Sequence, residues 1–331
     1  MSNLEGNGSR SGKSHNPLPT LPMVSVSELG FRYAGQEKWA IRNLTFSVGA
    51  GELFAVVGPN GGGKSTTFRI LSTLLPMQTG SATLMGYDFA HDAMKIRKAI
   101  GVVFQAAALD KTLTVKENWQ HTGWLYGLRS KQLEQRMAEL AEKFHLTERL
   151  SDRVGSLSGG LMRRVEIAKA MLHHPKVLLL DEPTVGLDPL ARRELWMFLK
   201  DLVKTKQVTL LWTTHFLEEA EFADRVLLIH QGQGVALGSP AQLESAVGES
   251  VLFLESEDLS HLQGKISQEW GVQSSIVDHK LRVQDKRGIE MLTAILHKHS
   301  RDIKTLQFGR PTLEDVFMEK TGEAYSRELP S

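Results

Sequence analysis

A glycine-rich loop that runs from Gly58 to Thr66 restricts the folds open to this chain more than any other segment. Its sequence, GPNGGGKST, fits the pattern G-x-x-x-x-G-K-[ST]. The apolar run LFAVV precedes the loop, and the helical pattern STTFRILSTLL follows it and stops at Pro76. A strand, a glycine-rich loop and a helix in this order predict a phosphate site, because the loop N–H groups and the helix N-terminus both favour an anion.

The side chains of the loop suit a triphosphate and its magnesium ion. Lys64 can reach the terminal phosphates, and Ser65 is placed to ligate Mg²⁺. The alternative is a glycine turn that only caps a helix, but such a turn needs neither a lysine nor a hydroxyl at these adjacent positions. We therefore predict phosphate contacts from Gly58, Pro59, Asn60, Gly61, Gly62, Gly63, Lys64, Ser65 and Thr66.

A second motif, VLLLDEP, places two carboxylates at the end of a buried strand. Asp181 can hold the water shell of a metal ion, and Glu182 can polarise an attacking water. An acidic pair after a strand is otherwise often a helix cap or a solvated turn. The upstream loop favours the catalytic interpretation.

A third motif, LSGG, leads directly into the helical pattern LMRRVEIAKAML, which stops before Pro175. Its serine and glycine amides form a helix start that can bind an anion. The residues of this motif are Leu157, Ser158, Gly159 and Gly160.

The order of segments predicts an α/β fold. VSVSELGFRY and AIRNLTFSV have the alternation of an antiparallel hairpin. The buried runs LFAVV, VLLLD and VTLLWTT alternate with amphipathic helices, which indicates a parallel sheet covered on both faces. Between Gln105 and Leu157 the pattern is helical, and Thr114 and Glu117 form a capping box. We place an inserted helical subdomain at about residues 106–165.

The ends of the chain differ in composition from its centre. Residues 1–22 are polar and predict a flexible tail; their Gly12-Lys13-Ser14 imitates a phosphate loop, but no strand precedes it. Residues 23–248 form the main predicted domain, residues 249–325 show the order βαββαβ of a small split-βαβ domain, and residues 326–331 form a second tail. The second helix of the small domain is expected to bury one face through Ile289, Leu292, Ile295 and Leu296.

Composition excludes several classes of protein. The formal net charge is +1, so no overall field attracts the chain to nucleic acid. There is no cysteine, which excludes disulfides and thiolate metal sites. No segment reaches the roughly 18 to 20 apolar residues of a membrane helix, and the N-terminus lacks the apolar block of a signal peptide. Histidines at positions 173, 174, 297 and 299 are expected to have no convergent carboxylates and hence to bind no metal.

The three motifs in this order resemble those of the ABC ATPases, especially the nucleotide-binding domains of transporters, over about residues 24 to 245. The resemblance implies a P-loop NTPase core with an antiparallel β subdomain and an inserted helical subdomain. Gly62 stands where such loops often have alanine, and Leu161 where glutamine often follows LSGG. Neither difference removes a group that the chemistry requires.

The resemblance also assigns roles to residues outside the three motifs. Tyr33 would stack on adenine, and Gln105 would link magnesium to the helical subdomain. His215 would contact the γ-phosphate, and Asp188 would lie in a dimer-contact loop. In this scheme Glu182 is the general base, and Ser65, Gln105 and Asp181, the last through water, hold Mg²⁺.

ATP and Mg²⁺ are thus the implied substrate and metal. The partners implied are a transmembrane permease and a second copy of the chain or a related cassette, with LSGG of one copy facing the phosphate loop of the other. The implied location is the cytoplasmic face of the membrane, held through the permease. The ending GRPTLEDVFMEKTG resembles that of cassettes from drug, polysaccharide and lipid exporters of the daunorubicin type, which favours export.

Two alternatives remain at this point. One is a non-transport ABC ATPase that acts as a mechanical switch on ribosomes or DNA; the single cassette and the lack of a long coiled-coil insertion argue against it. The other is a scaffold that binds nucleotide without hydrolysing it, which the presence of Glu182 and His215 disfavours.

Overall fold

The computed structural model describes residues 22–204, 208–248, 250–277, 279–285 and 287–325. The predicted tails, including Gly12-Lys13-Ser14, lie outside these ranges apart from Pro22. Strands in the first part of the chain are β1 (Val24–Phe31), β2 (Ile41–Val48), β3 (Leu53–Val57), β4 (Thr79–Leu84), β5 (Tyr87–Asp88), β6 (Ile100–Val103), β7 (Val177–Asp181), β8 (Thr209–Thr214), β9 (Arg225–His230) and β10 (Gln233–Gly238). Helices in the same part are α1 (Lys64–Leu71), α2 (Ala93–Ala99), α3 (Val115–Leu125), α4 (Ser130–Lys143), α5 (Gly159–Ala170), α6 (Pro189–Lys204), α7 (Leu217–Ala220) and α8 (Pro240–Val247).

The central sheet has the strand order β10-β9-β3-β8-β7-β6, and all pairs except β10 with β9 are parallel. Every residue of β3, β7 and β8 is buried, as a parallel sheet covered on both faces requires. Ala55 and Val57 point into one apolar core, which includes residues of α5 and α6, and Phe54 and Val56 point into another, which includes residues of α1. The predicted α/β core is confirmed.

The predicted hairpin is also confirmed. Strands β1 and β2 pair antiparallel in a sheet of order β2-β1-β4-β5, with Val24 opposite Val48. Phe46 of β2 stacks on Phe54 of β3 with ring centroids 5.4 Å apart. This sheet therefore closes the second core against the central sheet.

The helices between β6 and β7 are held by a capping box and a buried tryptophan. Thr114 accepts a hydrogen bond from the Glu117 amide, and the Glu117 carboxylate accepts one from the Thr114 amide. Trp119 is fully buried and donates through Nε1 to the Val165 carbonyl at 3.0 Å. The capping box is as predicted, and the bounds of the helical subdomain stay a prediction.

The helix after the phosphate loop is shorter than its sequence pattern indicates. The pattern predicts a helix that continues to Pro76, but α1 ends at Leu71. Thr73 has a positive φ of 62°, which turns the chain away from the helix axis, and Leu74 is left 58% exposed. The predicted helix was too long because the apolar residue Leu74, close to Pro76, was counted as part of its pattern.

The C-terminal sheet contains β11 (Ser250–Glu255), β12 (Gln273–Val277), β13 (Lys280–Asp285) and β14 (Thr305–Gly309), with α9 (Leu259–Trp270) and α10 (Ile289–His299) between them. The order β12-β13-β11-β14, with all neighbours antiparallel, is the predicted split-βαβ arrangement. The predicted face of α10 is wrong in part. Met291, Ile295 and His299 are buried, whereas Ile289 and Leu296, which lie on the flank of this stripe, are 68% and 40% exposed.

The last helix, α11 (Leu313–Thr321), packs against α8 and β10. Leu313, Val316, Phe317 and Tyr325 belong to the same apolar core as α5 and α6. On the other side of α11, Arg282 of β13 donates through Nε to Asp315 Oδ1 at 2.9 Å. Helix α11 therefore lies between the small sheet and the preceding part of the chain. Across the described ranges, no helix combines the length and apolarity needed to cross a bilayer.

The Arg282–Asp315 pair should stabilise this junction. Both side chains are less than a tenth exposed, so Arg282→Ala leaves the Asp315 carboxylate buried without its cation. We expect the free energy of unfolding to fall by about 3 kcal/mol. Urea denaturation measures the change.

Arg287→Ala is the matched control, because Arg287 pairs with Asp285 in the same sheet region but is 45% exposed. It should leave the free energy of unfolding nearly unchanged, because an ion pair with an exposed arginine is screened by water. Equal losses in the two variants would contradict a special role for the buried pair.

Candidate nucleotide site

The glycine-rich loop joins β3 to α1, and two of its glycines are required by the backbone. A Cβ at Gly58 would lie 2.1 Å from the Ile229 carbonyl oxygen. Gly63 has φ 108°, which side-chain-bearing residues rarely adopt, and a Cβ there would lie 2.8 Å from the Ala40 carbonyl oxygen. The loop is therefore pressed against the end of β9 on one side and the start of β2 on the other.

Lys64, the first residue of α1, is a buried cation at the base of the loop. Its side chain is 4% exposed, its Nζ donates to the Pro59 carbonyl at 3.1 Å, and the same atom lies 3.7 Å from Glu182 Oε1. Burial lowers the pKa of Lys64, and the charges of Glu182 and Asp181 oppose that shift. An anion in the loop would supply further compensation for this charge.

A cavity of about 410 Å³ opens above the loop. Tyr33 borders it; its ring contacts Phe31 edge-on at 5.0 Å, and its hydroxyl lies 3.2 Å from Thr66 Oγ1. The lining combines amide, hydroxyl, charged and aromatic groups, as a nucleotide site requires. It consists of Tyr33, Gln36, Lys38, Trp39, Ala40, Asn60, Gly61, Gly63, Lys64, Ser65, Thr66, Gln105, Glu182 and Gln231.

Part of this lining was missed by the sequence analysis. The segment AGQEKW joins the two strands of the predicted hairpin and had no predicted role in the site, yet Trp39 and Lys38 line the cavity together with Tyr33. A tryptophan at the end of such a turn was the available signal. Gln231 follows β9 in an unremarkable turn and had no signal in the sequence.

Asp181 and Glu182 lie at the carboxyl end of β7. Asp181 is buried and its Oδ1 accepts a hydrogen bond from the Thr213 hydroxyl of β8. Burial raises the pKa of Asp181 despite that hydrogen bond. Glu182 has a positive φ of 44°, an uncommon conformation for a residue with a side chain, and its amide donates to the Thr213 carbonyl at 3.1 Å.

Three polar groups converge on the Glu182 carboxylate. Lys64 Nζ and His215 Nδ1 lie 3.7 and 3.3 Å from Oε1, and Gln105 Nε2 donates to Oε2 at 3.2 Å. Burial alone would raise the pKa of Glu182, but the contact with His215 and the charge of Lys64 outweigh it and lower the pKa. Glu182 is therefore an ionised acceptor at neutral pH.

His215 is held from outside the cavity by the C-terminal segment. Its ring lies 4.0 Å from that of Phe216, and its carbonyl accepts a hydrogen bond from the Tyr325 hydroxyl at 2.8 Å. Tyr325 is only 6% exposed, and burial raises the pKa of its phenol. No sequence pattern indicates the contact of Tyr325 with His215, because 110 residues separate the two.

Arg163 of α5 is a second residue that the sequence analysis did not single out. It is 7% exposed and forms an ion pair with Glu166 at 2.7 Å. The same guanidinium also donates to the carbonyls of Phe104, Asp181, Glu182 and Pro183. It therefore connects α5 to both segments that carry polar groups of the cavity.

The LSGG residues and Asp188 stand apart from this cavity. Ser158 caps α5 by accepting a hydrogen bond from the Leu161 amide, and both Ser158 and Gly159 are exposed. Asp188 Oδ1 accepts from the amides of Leu190 and Ala191 at the start of α6. Of the predicted site residues, Tyr33, most of the loop, Gln105 and Glu182 line the cavity, whereas LSGG and Asp188 do not. Asp181 and His215 do not line it either, but Asp181 directly precedes Glu182 and His215 contacts the Glu182 carboxylate.

The cavity offers the donor atoms that Mg²⁺ prefers. Ser65 and Gln105 line it with a hydroxyl and an amide oxygen. Asp181 is the last residue of β7 and directly precedes Glu182, which also lines the cavity. Asp181 is a buried carboxylate whose pKa burial raises, so a cation would relieve an unfavourable charge there. The residues present therefore fit the predicted metal.

One expectation about histidines is wrong. His299 Nε2 lies 3.0 Å from Glu269 Oε2, and its Nδ1 lies 3.6 Å from Asp302 Oδ2, so carboxylates do converge on it. Lys298 and Lys265 pair with the same two carboxylates at 3.0 Å each. The group is an ion-pair cluster, and among the described residues no set of three or more acidic, histidine or cysteine ligands is gathered for a metal.

Comparisons with known proteins identify the family. A family model described as "ABC transporter" matches residues 41–185. The linearmycin resistance ATP-binding protein LnrL of Bacillus subtilis is 34% identical over 295 residues, which are 86% of this chain and 94% of that protein. The daunorubicin/doxorubicin resistance ATP-binding protein DrrA of Streptomyces peucetius is 35% identical over 314 residues, 92% of this chain and 94% of its own.

Solved structures show the same fold. An ATP-binding subunit of an ABC transporter superposes with a TM-score of 0.59 at 31% identity, over 68% of this chain and 92% of that one. The dimeric cassette MJ0796 bound to ADP and Pi superposes with a TM-score of 0.58 at 28% identity, over 66% and 98% of the two chains.

The raised pKa of Asp181 predicts opposite effects of one substitution on stability and on metal binding. Above its ordinary pKa, ionised Asp181 disfavours the folded state, so Asp181→Asn should raise the free energy of unfolding by about 1 kcal/mol at pH 7 without nucleotide. The gain should vanish at a pH below that ordinary pKa. The same variant should lose the further stabilisation that MgATP confers on the wild type, which thermal denaturation with and without MgATP measures.

Asp201→Asn is the control, since Asp201 is exposed and pairs only with Lys204 among the described residues. It should leave both quantities unchanged. A destabilised Asp181→Asn, or one that MgATP stabilises as it does the wild type, would refute this account of the site.

Proposed function

Since the chain belongs to the ATP-binding proteins of the ABC transporter family, and is thus an ATPase that uses ATP and Mg²⁺, we propose that it hydrolyses ATP between two cassettes to drive a separate exporting permease. The observation that carries this proposal is the convergence of Lys64, Gln105 and His215 on the ionised carboxylate of Glu182. A phosphate-binding scaffold would not need a charged acceptor held by three groups.

In this mechanism Glu182 is the general base. It accepts a proton from a water molecule as that water's oxygen attacks the γ-phosphorus, and the bond from the γ-phosphorus to the bridging oxygen of ADP breaks. The loop amides and Lys64 hold the triphosphate, Tyr33 stacks on adenine, and His215 and Gln105 orient the water and the γ-phosphate. Ser65, Gln105 and, through water, Asp181 would hold Mg²⁺, which when bound neutralises charge on the phosphate oxygens.

The exposed LSGG motif supports a head-to-tail dimer. Ser158 and Gly159 are open to solvent at the start of α5, outside the cavity of their own chain. A helix start of this kind can contact the triphosphate held by a second copy or a related cassette, with Asp188 near the same interface. ATP would then favour the closed dimer, and hydrolysis would remove that preference. The known MJ0796 dimer bound to ADP and Pi supports this arrangement.

The helices between β6 and β7 supply the surface proposed for the permease. Trp124, Leu125 and Tyr126 are 48%, 87% and 43% exposed at the end of α3. An apolar group of this kind fits a short helix from a membrane subunit, which would hold the cassette at the cytoplasmic face of the membrane. Relatives named for linearmycin, daunorubicin and doxorubicin resistance, and for Nod factor export, favour export as the direction of transport.

Glu182→Gln tests the catalytic assignment. The amide keeps the size of the side chain but cannot take the proton, so the rate of phosphate release by the assembled complex should fall at least about 100-fold. ATP binding should persist, and ATP-driven accumulation of drug in inside-out vesicles should stop. Glu134→Gln serves as control, because Glu134 is exposed on α4, and it should leave the rate unchanged. Wild-type turnover by Glu182→Gln would refute the assignment.

Ser158→Arg tests the dimer. In the Glu182→Gln background, which should slow ATP turnover, the added Ser158→Arg should leave ATP binding by the single chain intact and prevent its ATP-dependent dimerisation, because the larger side chain blocks the shared face. Light scattering with and without ATP measures the mass. Ser239 is the matched control, because it caps α8 as Ser158 caps α5 but lies elsewhere. If Ser158→Arg dimerises as well as Ser239→Arg, the proposed interface is wrong.

A further inference from the structure

The guanidinium of Arg163 is surrounded by backbone acceptors. Nε donates to the Pro183 carbonyl at 2.8 Å, Nη1 donates to the Phe104 carbonyl at 2.8 Å, and Nη2 donates to the carbonyls of Asp181 and Glu182 at 3.2 and 3.4 Å. Nη1 also pairs with Glu166 Oε2 at 2.7 Å. One planar, always charged group therefore has every nitrogen engaged, at a position that is 7% exposed.

Three of these acceptors are successive carbonyls of the turn that carries Glu182. The Glu182 backbone has φ 44°, in the sparsely populated left-handed region, so the turn needs support from its surroundings to keep this conformation. Arg163 supplies that support from outside the cavity, since it is not among the cavity-lining residues. Arg163 contacts the backbone carbonyl of Glu182 and not the Glu182 carboxylate.

The same ion pair also brackets the loop that carries Gln105. Arg163 binds the Phe104 carbonyl immediately before it, and Glu166 Oε1 accepts the Ala108 amide at 2.7 Å shortly after it. Glu166 is 2% exposed, so its charge is compensated by Arg163 inside the protein. Both residues belong to α5, the helix that begins directly after Ser158.

We propose that Arg163 is a positioning residue for hydrolysis: it fixes the Glu182 turn and the Gln105 loop to helix α5. This rests on the proposed function, in which Glu182 is the base and Ser158 contacts the nucleotide of the partner cassette. A shift of α5 when Ser158 meets that nucleotide is transmitted through the rigid guanidinium to the backbone of the base. Glu182 and the loop that carries Gln105 thus reach the positions needed for hydrolysis only when Ser158 at the start of α5 contacts the nucleotide of the partner cassette.

Arg163→Lys tests the proposal, because lysine keeps the buried charge opposite Glu166 but has one nitrogen in place of the fork. We expect kcat for ATP to fall about 100-fold, since small misplacements of a catalytic group have effects of this size. KM and the affinity of the single chain for ATP should change less than about threefold, because Arg163 does not line the cavity. Steady-state phosphate release and equilibrium ATP binding measure both quantities.

Arg136→Lys is the matched control. Arg136 likewise donates to backbone carbonyls, those of Met171 and Leu172 just beyond α5, but it lies outside the cavity and its supports. Its replacement should leave kcat and KM unchanged. Glu166→Gln is a milder second variant, because it keeps the size of the side chain but replaces one of the two oxygens that accept from Arg163 and Ala108 with an NH2 donor. It should lower kcat about tenfold with KM unchanged, and it covers the case in which Arg163→Lys does not fold.

A double variant separates positioning from general damage. If Arg163 acts through Glu182, Arg163→Lys should reduce the residual turnover of Glu182→Gln little or not at all, whereas independent damage would multiply the two losses. A folded Arg163→Lys and a Glu166→Gln with wild-type kcat, or multiplicative losses in the double variant, would overturn the proposal. If Glu182→Gln itself keeps wild-type turnover, the proposed base is wrong, which is a separate failure.

Discussion

The buried ammonium of Lys64 opposite the buried carboxylate of Glu182 is the interaction on which the rest of the site depends. Their atoms lie 3.7 Å apart, and both side chains are almost fully removed from water. Neither charge could remain there alone, because an unpaired buried ion is strongly disfavoured. The pair is possible because β3 and β7, each next to β8, end at the same edge of the parallel sheet. The loop and the acidic turn are therefore delivered to one place by the strand order.

A second layer of contacts keeps that pair in position. Thr213 of β8 holds Asp181, and Arg163 of α5 holds the turn at Glu182. His215 is held through its carbonyl by Tyr325. Arg163 and Tyr325 bind backbone carbonyls, and Thr213 binds one carboxylate oxygen of Asp181. These supports therefore leave the Glu182 carboxylate and the His215 imidazole available to a ligand. Such supports are what give a site its geometry when the ligand is large and flexible.

Taken by themselves, the residues predicted contiguous features, whereas the roles of the distant residues Tyr33, Gln105 and His215 came only from the family resemblance. The loop, the acidic pair, the hairpin, the capping box at Thr114 and the βαββαβ order of the small domain each depend on short patterns with a known period or turn. The contacts of Arg163 and Tyr325 join segments that are far apart in the chain, so no local sequence pattern predicts them. The face of α10 was misjudged because the buried stripe runs from Met291 through Ile295 to His299, and a histidine does not mark a buried position in an apolar pattern.

The position of α11 limits how this chain can be shortened in evolution. Phe317, Val316 and Leu313 fill a core that begins in the main part of the chain, and each such side chain contributes about 1.5 to 3 kcal/mol when fully buried. A gene shortened after Gly248 would encode a cassette with an open apolar flank and with no phenol at the His215 carbonyl. The part of the chain after Gly248 is therefore required by the rest of the fold. A shortened protein would stay folded only if substitutions also made the exposed faces of α8 and β10 polar.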